Sequence, residues 1–134
     1  MKHPLWLGLL ILVSSATAHG FQTKTEILEQ FDSLKMAAFV DPKEISRSPE
    51  WNPNAEEPPL TVAEAIRAVQ ELNEDAGTMG AVKEIEIRQF PNDEKHWHYL
   101  IKVANKRMKT KYNIYVVLMN GKVIPAMIEP QSYK

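Results

Sequence analysis

The sequence predicts an α+β fold: one well-defined amphipathic helix packed on a four-stranded antiparallel meander sheet, with a second helix near the N-terminus. Three observations carry that expectation. Residues 61–74, TVAEAIRAVQELNE, repeat apolar side chains at helical spacing. From Val82 onward the apolar period falls to two, the period of a strand. Asn120-Gly121 then sits between two alternating runs, the strongest short hairpin signal a sequence carries.

The elements follow in order. Lys2, the apolar run Leu5 to Val13 and the small-x-small pattern Ala16-Thr17-Ala18 read as a secretory signal peptide over residues 1–18. The apolar run is too short to cross a bilayer. The expected location is therefore secreted or periplasmic, with no membrane association once the signal is removed. Residues 19–59 read as an N-terminal helix and a Pro-rich linker. Ile27, Leu28, Phe31, Leu34 and Ala38 fall on one helical face, and Thr23 with Glu26 matches a capping box. Residues 41–59 hold five of the nine prolines and Trp51, which either pins the linker to the domain or stacks on a ligand.

The third part, residues 60–130, is the α+β domain. Thr61 and Glu64 form a capping box, and Val62, Ala65, Ile66, Val69 and Leu72 form an apolar stripe. Strands are predicted at 82–90, 96–104 and 112–119. A fourth, KVIPAMIE, is placed at a sheet edge because Pro125 donates no ladder hydrogen bond. Asn120-Gly121 suits a type I′ turn.

Composition excludes several functions. There is no cysteine, so stability rests on packing and no thiol is available for catalysis. A formal net charge of −1 gives no general attraction to nucleic acid or anionic lipid. Lys106, Arg107, Lys109 and Lys111 cluster in one connection, which reads as a solvated loop. Five glycines form no phosphate loop, and Ser33, Ser46, Ser48 and Ser132 lack a nucleophile-elbow context. Glu56-Glu57 and Glu74-Asp75 read as solvated charge. No enzyme activity and no cofactor are expected.

Two candidate sites stand out. Tyr112 to Met119 is apolar on both faces, so the second face of the sheet is covered either by residues 21–40 or by a partner. In the second case His98, Leu100, Tyr115 and Val117 form a binding surface for a protein or peptide, and an edge strand offers strand addition as another mode. The alternative is metal handling. His96 and His98 share one side of a strand, and a mature chain beginning at His19 adds a terminal amine and an imidazole suited to copper or zinc.

Residues 60–128 also resemble the PepSY domain family. The resemblance lies in Thr61-Val62-Ala63-Glu64-Ala65-Ile66, Trp97-His98-Tyr99, Tyr112-Asn113-Ile114-Tyr115-Val116 and Asn120-Gly121-Lys122-Val123. Asn120 stands where that family carries an acidic residue. The chain is similar to small exported bacterial proteins with a single such domain. The resemblance implies an exported, non-catalytic module, associated with inhibition and folding assistance in protease propeptides and with sensing or binding elsewhere.

Overall fold

The computed structural model describes residues 24–31, 34–73, 79–106 and 112–128 of the 134-residue chain. The signal segment, His19 and residues 107–111 of the basic connection lie outside these residues. The described chain is α+β and has three layers: a helix, a four-stranded antiparallel sheet and a three-stranded sheet.

The first two strands are β1 (Thr25–Phe31) and β2 (Leu34–Val40), an antiparallel hairpin pairing Thr25 with Val40 through Phe31 with Leu34. The N-terminal helix expected here does not form, and Glu26 lies in β1 rather than in a first helical turn. The physical reason is tertiary. Met36, Ala38 and Val40 alternate into a core against Leu100, Ile114, Val116 and Leu118. A hairpin covers that flat surface with a period-two face, and this burial outweighs a weak helical preference. Ile27 of β1 and Met36, Ala38 and Val40 of β2 thus belong to the same core as the sheet, so it is residues within 21–40 that cover its second face.

A short helix, α1 (Pro42–Arg47), follows. Asp41 caps it by accepting a hydrogen bond from the Lys43 amide, and Pro42 occupies the first turn, where its missing N–H costs nothing. Ile45 seals the end of the same core. Trp51 then ties the Pro-rich segment down: its amide donates to the Lys95 carbonyl, and its ring meets that of Trp97 edge-on at 5.0 Å.

The main helix, α2 (Val62–Asn73), starts at the expected capping box. The Glu64 amide donates to Thr61 Oγ1 at 3.1 Å, and the Thr61 amide donates back to Glu64 Oε1 at 3.2 Å. Hydrogen bonds from Thr61 hold the Glu64 carboxyl below the usual range. Ala65 and Val69 are fully buried and Ile66 packs beside them, whereas Val62 and Leu72, at the ends of the predicted stripe, are exposed.

The large sheet runs β3 (Met79–Gln89), β4 (Trp97–Asn105), β5 (Tyr112–Leu118) and β6 (Val123–Pro125) in sequential order. β6 is an edge, as Pro125 requires. The β5–β6 hairpin forms at Asn120-Gly121, but the turn is not type I′. Gly121 alone has a positive φ there, 90°, and its amide donates to the Leu118 carbonyl. This is a three-residue loop closed by a glycine bulge. The Ala126 amide still donates to the Ile114 carbonyl of β5; beyond it the chain leaves the large sheet, and β7 (Met127–Ile128) pairs with β2. The predicted fourth strand is thus split between the two sheets.

Candidate functional site

The β4–β5 register decides where the candidate residues lie. His98 pairs with Leu118, Tyr99 with Val117, Leu100 with Val116 and Ile101 with Tyr115. Opposed residues share a face. His98 and Leu100 therefore lie on the face covered by the hairpin, and Tyr115 and Val117 on the face covered by α2. The structure does not bring the four together, and all four are buried. Of the two alternatives, cover by residues within 21–40 is the one found: Leu100 packs into the hairpin-side core, and Tyr115 and Val117 into the helix-side core. Sequence reasoning pairs the faces of adjacent strands without knowing the register, and a one-residue shift reverses every assignment.

The helix face is finished by hydrogen bonds. The Tyr99 hydroxyl donates to the Leu60 carbonyl at 2.6 Å, just before α2, and the Tyr115 hydroxyl donates to Asn73 Oδ1 at 3.2 Å, at its end. The Asn73 amide nitrogen in turn donates to the Val69 carbonyl. Burial raises the Tyr99 pKa, with a smaller push from Glu64.

The two histidines have different roles. His96 precedes β4 and locks the β3–β4 turn: its Nδ1 lies 2.8 Å from Asp93 Oδ2, and its amide donates to Asp93 Oδ1. Burial works against the Asp93 carboxylate, but hydrogen bonds from the Lys95 amide and from His96 outweigh it and lower its pKa. His98 is only 1% exposed and packs against Phe90 at 4.3 Å between ring centroids. Neither of its ring nitrogens makes a hydrogen bond among the described residues. Burial, with the nearby positive charge of Arg88, pushes its pKa down to about 4, so the ring is neutral at pH 7. Among the described residues no group of three or more His, Cys, Asp or Glu side chains is placed to hold a metal ion. His19 lies outside those residues.

With both faces closed, two open features stand out. The first is an open cleft of about 680 Å³ lined by Trp51, Trp97, Asn52, Glu56, Gln89 and Lys95 among others. The Trp51 indole nitrogen is occupied there, donating to the Glu56 carbonyl at 2.9 Å. The second is the outer edge of β3, the first strand of its sheet, whose only strand neighbour among the described residues is β4. The Phe90 amide donates to the His96 carbonyl, so hydrogen-bonded pairs along β3 fall at the even positions 84 to 90. The backbone groups of Ile85, Ile87 and Gln89 consequently point away from β4. Glu86 and Arg88 form an ion pair along this edge, which holds the Glu86 carboxyl below its usual range. Near its start β3 shifts register twice against β4, between Met79 and Glu84. Gly80 sits there so close to β4 that an added Cβ would collide with the Ala104 carbonyl oxygen. No helix among the described residues is long and apolar enough to cross a membrane. A signal of the open edge is present in the sequence, since charged residues alternate along β3. Comparison with family models, with curated proteins and with solved structures finds no match to this chain.

Proposed function

We propose that this chain is an exported, non-catalytic binding module of PepSY-like type that acts through a sheet edge, taking an extended strand along β3. The observation that carries the reading is the outward set of backbone groups at Ile85, Ile87 and Gln89, on a strand paired on one side only among the described residues. Main-chain hydrogen bonds supply the attraction, and the side chains of Glu84, Glu86 and Arg88 on one face and of Ile85 and Ile87 on the other supply the selection. Gln89 also lines the cleft of Trp51 and Trp97, so a strand running past it reaches an aromatic subsite. Export is supported by the signal-like segment over residues 1–18, and the lack of an acid/base or nucleophile pattern in the sequence supports a non-catalytic role.

The test is a peptide array tiled across secreted proteins of the same source, followed by hydrogen exchange on the complexes. Binding peptides should slow exchange at the amides of Ile85, Ile87 and Gln89. Peptides that bind and protect a different set of amides, or an array with no binders, would overturn the edge reading.

A further inference from the structure

We infer that the strand received by this edge is β3 of a second copy of the chain, paired antiparallel about a two-fold axis through Ile87. This rests on the edge reading above and names its partner. A two-fold contact is isologous, so the edge must be complementary to itself. The positions that point outward are odd, so odd residues must oppose odd residues, with the axis at a hydrogen-bonded odd pair or at a non-hydrogen-bonded even pair. An axis at Glu86 gains two Glu84–Arg88 pairs but sets Glu86 against its own copy at the closest spacing, and an axis at Arg88 does the same with Arg88, like charge on like. Three odd centres then remain on the straight part of the strand: Ile85, Ile87 and Gln89.

Centring on Ile85 sets Glu84 against the partner's Glu86, twice, and like charges directly opposite oppose pairing. Centring on Gln89 sets Arg88 against the partner's Phe90 and carries Glu86 past the turn that begins at Pro91. Centring on Ile87 sets Glu86 against the partner's Arg88 and Arg88 against the partner's Glu86. Ile87 then faces its own copy, and Ile85 faces Gln89. The two charged pairs fall at non-hydrogen-bonded positions, where opposed Cα atoms approach to about 4.5 Å and side chains meet most closely. Glu86 and Arg88 already lie together along one strand, so the dimer arranges these four charges in alternation. The two register shifts between Met79 and Glu84 bend the other end of the strand away. They confine the contact to a short straight segment and stop it growing into an open array.

Charge reversal tests this with a built-in control for folding. Sedimentation velocity on the wild-type chain between about 1 μM and 1 mM should show a reversible dimer. Glu86→Arg alone, and Arg88→Glu alone, should each raise the dissociation constant roughly tenfold, because two attractive pairs become two repulsive ones. An equimolar mixture of the two variants should recover wild-type association as a heterodimer, since every cross-strand pair is again opposite in sign while each chain keeps its own like-charged neighbours. A wild-type chain that stays monomeric throughout, a dimer indifferent to either reversal, or a mixture no stronger than its components would each overturn the proposal. In all three cases the edge reading still stands if a foreign peptide protects Ile85, Ile87 and Gln89, and both fail if nothing does.

Discussion

The two faces of the four-stranded sheet are both covered, yet they are closed by different chemistry. On the α2 side, Tyr99 and Tyr115 bury their rings and hand their hydroxyls to acceptors at the two ends of the helix. On the hairpin side, His98 is buried beside Phe90 and the hairpin-side core, with both ring nitrogens unpartnered among the described residues. A buried polar group without a partner carries a desolvation cost that a hydrogen-bonded one does not. The helix layer is thus fastened at both ends by buried tyrosine hydroxyls, whereas the hairpin layer closes by apolar contact around a group that becomes charged in acid, with the β2–β7 pairing and the Lys122–Glu44 ion pair at its margins.

The largest expected effects come from emptying either core. Ile101→Ala beneath α2 and Leu118→Ala beneath the hairpin should each cost about 2–5 kcal/mol in denaturant unfolding. If the layers are unequal, the Leu118 variant should raise hydrogen exchange in β1 and β2 before it does so in α2. Equal exchange in both would show that the layers unfold as one.

Acid should act next, and on one face. His98 has a folded pKa of about 4 against an ordinary 6.5. Between these values the unfolded chain binds the proton and the folded chain does not, so stability falls as pH drops from 6.5 towards 4. The depression corresponds to about 3 kcal/mol at about 1.4 kcal/mol per pH unit. His98→Leu should flatten that part of the stability-versus-pH curve measured by urea denaturation. A curve as steep in the variant as in the wild type would assign the acid sensitivity to other groups.

Smaller effects test the fastenings. Thr61→Ala removes the cap of α2 and should cost about 1 kcal/mol, read as a lower melting temperature. Lys122 and Glu44 form an ion pair between the β5–β6 loop and α1 on the hairpin side. As a partly exposed pair it should matter least, with Glu44→Ala changing stability by less than about 1 kcal/mol and less still in high salt.

How far these features are legible in the sequence differs by element. The capping box at Thr61 and Glu64, the period-two strands and the edge position of Pro125 are all readable, because each depends on residues close together in the chain. The turn at Asn120-Gly121 is readable as a turn, but its type is not: Asn120 keeps a negative φ because the loop takes in Met119 as well. The candidate surface is misread for a single reason. Strand alternation correctly sets His98 and Leu100 on the face opposite Tyr99, but grouping Tyr115 and Val117 with them requires the β4–β5 register, which the sequence does not carry.

Local chemistry therefore determined the main helix, the strands of the large sheet and the α+β class, since capping, periodicity and proline act over a few residues. Tertiary structure alone decided that residues 25–40 become a hairpin instead of a helix, that the last strand divides between two sheets, and that His98 lies in a core. Each of those outcomes depends on which apolar surface is left to cover and on which residues oppose each other across strands. Both are set by burial between segments far apart in the chain, where a weak local preference is outweighed.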